Sequence, residues 1–105
     1  MALDLDSSVS GDRVQISVGG EVDLYTSPEL RSAILEALET THGEVVVELA
    51  AVKYMDSSGV ATLVEGLRSA HQHDKIFKLV APSPQVMKVL ELTRLDSVFE
   101  IETTA

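Results

Sequence analysis

The stretch Tyr54-Met55-Asp56-Ser57-Ser58-Gly59-Val60-Ala61 (YMDSSGVA) separates two different hydrophobic patterns. Before it, Val45-Val46-Val47-Glu48-Leu49 is a mostly apolar, β-branched run, which suits a central strand covered on both faces. After it, Val60, Leu63, Val64, Leu67 and His71 fall at i, i+3, i+4, i+7 and i+11, one face of an amphipathic helix. YMDSSG is therefore a strand-to-helix junction that holds two hydroxyls between an acid and a glycine. Ser57 is suited to accept a bond from a free N–H at the helix start, and Asp56 is suited to the same task. A junction of this kind can also be a catalytic turn, an anion site or a site of modification.

The same patterns extend outward. Leu3 and Leu5 alternate with Asp4 and Asp6, a short edge strand, and Ser10-Gly11-Asp12 reads as a turn. Val14, Ile16 and Val18 alternate with Arg13, Gln15 and Ser17, so a half-buried strand is expected, ended by Gly19-Gly20. Thr26-Ser27-Pro28-Glu29 opens a helix, with Ser27 as N-cap, Pro28 in the first position and Glu29 at the positive end of the dipole. Leu30, Ile34, Ala37, Leu38 and Thr41 share its apolar face, and Gly43 is expected to stop it. Beyond the second helix, Ile76 to Val80 reads as a strand. Ser83-Pro84 starts a third helix bearing Val86, Met87, Val89 and Leu90, and Val98 to Ile101 is a closing strand.

This order predicts an α/β protein with a mixed, mostly parallel sheet, an antiparallel hairpin at the start and about three to four helices. In open sheets of this type, sites gather beyond the carboxyl ends of the strands. YMDSSG lies at such an end, and so does Gly20-Glu21-Val22-Asp23, so the two turns are expected to face one another.

With 105 residues, one domain spanning 1–105 is expected. The hydrophobic fraction of 45% is enough for a folded core. There is no cysteine, which removes disulfide scaffolds, thiolate metal sites and cysteine nucleophiles. MALDLDSSVSGDR lacks a basic segment followed by an apolar stretch, so no signal peptide and a cytoplasmic protein are expected. Seventeen acids against eight Lys and Arg give a net charge of −9, which repels nucleic acid and anionic lipid. The acidity serves solubility, or it suits a partner with a basic face.

Enzyme chemistry is disfavoured. No G-x-S-x-G elbow is present, and no histidine stands in a context that marks a general base for Ser57. His71 and His73 are two apart and do not face each other on a helix, so no metal site is expected. They and Lys75 are explained by the negative end of a helix dipole. Neither GxGxxG nor a Walker A loop is present, and no cofactor is expected. Phosphorylation of Ser57 fits better. Phosphate adds about −1.5 to −2 charges, which the first turn of a helix can tolerate, with Gly59 leaving room for close approach. Asp23 reads as a turn or cap residue, or as a polar group on the same surface as Ser57.

Gly20-Glu21-Val22-Asp23, the Val45–Leu49 strand, Tyr54-Met55-Asp56-Ser57-Ser58-Gly59 and the stretch from Leu79-Val80 through Leu92-Thr93-Arg94-Leu95 to Val98-Phe99 together resemble the STAS domain family. The resemblance is greatest to its stand-alone bacterial anti-sigma factor antagonists. It implies a non-enzymatic switch protein phosphorylated at Ser57 by a partner that is both anti-sigma factor and serine kinase. It implies that the unphosphorylated form binds that partner and frees the sigma factor, and that a PP2C-type phosphatase restores it. Asp23, Thr26, Asp56, Ser57, Ser58 and Gly59 are the partner-binding positions so implied. Ser58 to Leu67 also resembles STAS subunits that bind the ATPase or permease of ABC-type lipid transporters, and that alternative stays open.

Overall fold

An amphipathic strand or helix must bury its apolar side against another element, and alternating strands and helices do this as layers. The computed structural model describes residues 3–103. In chain order its elements are β1 (Asp4–Ser10), β2 (Arg13–Val22), α1 (Ser27–Thr40), β3 (Glu44–Met55), α2 (Ser57–Gln72), β4 (Ile76–Val80), α3 (Pro84–Leu92) and β5 (Glu100–Glu102). The five strands form one sheet in the order β1-β2-β3-β4-β5. β1 runs antiparallel to β2, and the remaining pairs are parallel. The predicted class and the opening hairpin are thus observed.

Val45, Val46 and Val47 are all fully buried. Successive strand side chains point to opposite faces, so β3 is covered on both, as its apolar run implies. Val14, Ile16 and Val18 of β2 join Leu30, Ile34 and Leu38 of α1, Leu63 of α2 and Leu79 of β4 in the main core. All five residues assigned to the apolar face of α1 are buried. On α2, Val60 and Leu63 are buried and Val64 and Leu67 partly so, but His71 is exposed.

Three boundaries differ from expectation. Gly19-Gly20 does not end β2, which continues to Val22 through register shifts on either side of the glycine pair. Gly20 has φ +97°, so it supplies a bulge rather than a stop. Helix α1 ends at Thr40 without Gly43. The Thr41 hydroxyl donates to Asp12 O at 2.6 Å, and Gly43 lies so near Asp12 that a Cβ would sit 2.6 Å from the same oxygen. The closing strand is only Glu100–Glu102. Val98 and Phe99 precede it in a turn, and Phe99 is buried against Phe77 with ring centroids 6.4 Å apart.

Lys75 also has a different partner from the one expected. Its ammonium donates to Leu38 O in the last turn of α1, a helix with no basic residue of its own there. It therefore offsets the dipole of α1, not that of α2.

Gly66 sets how closely α2 packs. A Cβ there would lie 2.9 Å from Ile34 Cγ2 and 2.9 Å from Phe77 Cε1, both in fully packed side chains. We predict that Gly66→Ala, despite its better helix propensity, destabilises the fold by about 1–3 kcal/mol through overpacking. Urea denaturation checks this, and a variant as stable as wild type would mean that the α1–α2 layer is slack.

Candidate functional site

Strands β2 and β3 end side by side, with Val22 in register with Met55. One hydrogen bond then joins the turns that follow, from Asp56 N–H to Val22 O at 3.1 Å. The β2–α1 turn and the β3–α2 junction therefore meet at the carboxyl edge of the sheet, as the strand order required.

The β2–α1 turn is built around Asp23. Its Oδ1 accepts the N–H of Tyr25 at 2.9 Å and the N–H of Thr26 at 3.0 Å. The Thr26 hydroxyl donates to Glu21 O at 2.8 Å, and its oxygen accepts the Asp23 N–H at 2.9 Å. Ser27 is not the cap that the sequence suggests. It is the first residue of α1, its N–H donates to Asp23 O, and Thr26 occupies the cap position with no side-chain capping bond. The hydrogen bond from the Thr26 N–H, with that from Tyr25, holds the Asp23 carboxyl below its ordinary value of 3.8. Both bonds favour the charged form.

At the second turn, Asp56 is the N-cap of α2, with extended backbone. Its Oδ1 accepts the Ser58 N–H at 2.9 Å and the Ser58 hydroxyl at 2.5 Å. The choice between Ser57 and Asp56 as cap is thereby settled for Asp56. Ser57 is the first helical residue, exposed, and its hydroxyl has no hydrogen bond to the described residues. Two adjacent serines thus differ in exposure and in hydrogen bonding. The Ser58 hydroxyl is occupied as a donor, whereas the Ser57 hydroxyl is free to react or to be contacted.

All six sequence-predicted positions lie in these two turns, but not all reach the surface. Thr26 is 2% exposed and acts as an internal brace. Gly59 is buried as well. A Cβ there would lie 2.6 Å from Met55 Cγ and 2.7 Å from Val22 Cγ1, so the glycine lets α2 seat on β2 and β3. It does not hold open a space for a ligand. Asp23, Asp56 and Ser58 are partly buried, and Ser57 is the exposed member of the set.

Leu24 and Tyr25 escaped the sequence reading. They occupy the Asp23 turn and are 70% and 87% exposed. Their signal was present, since two large apolar residues stand where turn residues are usually small or polar. Among the described residues no group of three His, Cys, Asp or Glu could hold a metal ion, and no helix is long and apolar enough to cross a membrane. A groove of about 420 Å³ runs along Leu3–Asp6, Ser17–Gly19, Glu48 and Ala51, and includes none of the junction residues.

The family model described as "Mlab, STAS domain" matches residues 5–101. This chain belongs to the STAS domain family. Its relatives include the anti-sigma-B factor antagonist of Staphylococcus epidermidis, 31% identical over 96% of this chain and 94% of the relative. Among solved structures, an anti-sigma factor antagonist from Mycobacterium paratuberculosis superposes with TM-score 0.85 at 26% identity, covering 97% of this chain and 86% of that one. The anti-sigma factor antagonist SpoIIAA in its unphosphorylated form gives TM-score 0.77 at 25% identity, covering 96% and 88%. These relatives are regulatory binding proteins rather than enzymes. The mixed sheet with its opening hairpin is the STAS fold.

The Asp23 turn generates a pH test. A carboxyl whose folded pKa is depressed holds its proton less readily when folded. Its contribution is therefore complete above 3.8 and is lost as pH falls through the lower folded value. Asn keeps the accepting oxygen but not the charge. We predict that this STAS domain is more stable than its Asp23→Asn variant near neutrality and that the gap closes below pH 3.8. Urea denaturation at both pH values measures it, and a gap independent of pH would mean that the charge contributes nothing.

Proposed function

We propose that this STAS domain is a cytoplasmic anti-sigma factor antagonist, a single-domain switch set by phosphorylation of Ser57. The observation that supports this most is the free, exposed Ser57 hydroxyl at the start of α2, beside a Ser58 hydroxyl already donated to Asp56. The named relatives supply the role, and the junction supplies the chemistry.

Unphosphorylated, the domain binds an anti-sigma factor that is also a serine kinase, and the sigma factor is released. The kinase brings the ATP, so this chain needs no nucleotide loop. Phosphate on Ser57 adds about −1.5 to −2 charges. The Ser58 N–H that could receive it is already held by the Asp56 carboxylate. The new charge therefore stays at the surface beside a like charge, and it alters the docking face without demanding a change of fold. A PP2C-type phosphatase returns the domain to its binding form. Asp23 fixes the neighbouring turn, so its role in recognition is to hold that surface in place.

A second reading is that the same surface docks on the ATPase or permease of an ABC-type transporter. It is favoured by the Ser58–Leu67 stretch of α2, which resembles transporter-associated STAS subunits. Under that reading Ser57 is part of a docking face and sigma regulation is absent.

Three proteins separate these readings: wild type, Ser57→Ala and Ser57→Asp. We predict that all three fold. Ser57→Ala should bind the anti-sigma factor kinase as wild type does but take no phosphate, and Ser57→Asp should bind at least about tenfold more weakly, a loss of about 1.4 kcal/mol. Calorimetric titration and phosphopeptide mapping provide the readouts. Phosphate on Ser58 alone, or equal affinity of all three proteins, would overturn the switch. Selective binding of a transporter ATPase or permease would favour the second reading.

A further inference from the structure

We infer that Leu24 and Tyr25 are the apolar anchors by which this domain grips its partner, and that the partner presents an apolar pocket with a basic rim. The inference rests on the reading of the chain as an anti-sigma factor antagonist. It adds residues that neither the family motif nor the serine chemistry points to.

Exposure is the first observation. Leu24 and Tyr25 are adjacent large apolar side chains, 70% and 87% exposed. Isolated exposed hydrophobics are ordinary, but two in succession on a short turn are less so.

The second observation is that this turn is tightly held. The Asp23 carboxylate receives the backbone N–H groups of Tyr25 and Thr26, and the buried Thr26 hydroxyl donates to Glu21 O. Interface energy concentrates in a few anchors, and anchors held in place before binding lose less freedom on docking. An unbraced loop would give up much of that gain in ordering.

Position is the third. The Asp56–Val22 hydrogen bond of 3.1 Å links the two turns. Leu24 is two residues from Val22 and Ser57 is one from Asp56, at about 3.8 Å per residue. A standard interface covers about 800 Å² on each partner, a disc about 32 Å across. One docked partner therefore covers both the anchors and Ser57, so a phosphate on that serine falls within the footprint of the partner that the anchors hold.

Charge identifies the rim. Along the two turns and their flanks stand Glu21, Asp23, Glu29 and Asp56 against Lys53 and Arg31. Arg31 is already paired with Glu65 at 2.8 Å. The chain as a whole carries −9. Complementary rims speed encounter and fix register, so the occupant is the anti-sigma factor kinase through a basic-rimmed apolar pocket, not a second copy of this acidic chain.

The test uses the full chain and each ATP-binding anti-sigma factor of the source organism, titrated calorimetrically. Leu24→Ala and Tyr25→Ala are compared with Leu92→Ala, which removes a side chain 74% exposed at the end of α3, where the chain returns toward the opposite edge of the sheet. Circular dichroism and thermal melting verify that each variant is folded. The expected result is at least about a tenfold loss of affinity for each of the first two variants, a change under about twofold for Leu92→Ala, and weaker wild-type binding as salt rises. Wild-type affinity in Leu24→Ala and Tyr25→Ala overturns this inference alone. Equal losses in all three variants overturn it too, because the grip would then be unspecific. If wild type binds none of the anti-sigma factors, the functional reading fails and this inference with it.

Discussion

Helix α2 approaches the ends of β2 and β3 so closely at Gly59 that no side chain can intervene. Val22 Cγ1 and Met55 Cγ occupy the positions that a Cβ would contest. The surrounding geometry depends on this contact. It seats the first turn of α2 on the strand ends, lets the Asp56 N–H reach Val22 O, and so brings the Asp23 turn next to the Ser57 junction. Gly66 repeats the constraint one layer out, against Ile34 and Phe77. Two glycines on one helix thus set its approach to the sheet and to α1.

Much of this could be read from the residues. The switch from the Val45–Leu49 run to the spacing of Val60, Leu63 and Leu67 placed the junction, and Ser83-Pro84 marked a helix start whose cap is observed, the Val86 N–H donating to Ser83 Oγ. Such signals are local, so one sequence suffices. The misreadings share a different cause. Gly19-Gly20 resembled a stop because its bulge is defined only by β3 pairing alongside it. Ser27-Pro28 resembled a capping pair, but the Asp23 turn starts the helix one residue earlier, with the Ser27 N–H donated to Asp23 O and the Glu29 N–H to Thr26 O. Gly59 seemed to make space for a ligand because the side chains filling that space belong to Val22 and Met55, and Val22 is distant in sequence. Contacts with residues outside the motif itself overrode each local pattern.

The site shows the same division. Residue type marked Asp23, Asp56 and Ser57 as polar groups of the two turns, and the family resemblance added Thr26, Ser58 and Gly59. It could not assign their burial, so Thr26 and Gly59 were counted with the surface although they lie beneath it. It also passed over Leu24 and Tyr25, because a large apolar residue is ordinarily covered and these two are not.

The bond from the Ser58 hydroxyl to Asp56 has a consequence for substrate selection. Adjacent, chemically identical alcohols are a hard discrimination for any transferase, since flanking sequence is nearly the same for both. If this domain is such a target, its own fold makes the distinction. One alcohol is masked by its own carboxylate neighbour, and the other stands open. An enzyme that delivers its group to whichever alcohol oxygen is accessible would be regioselective without reading the motif, and the fidelity would belong to the fold of its target.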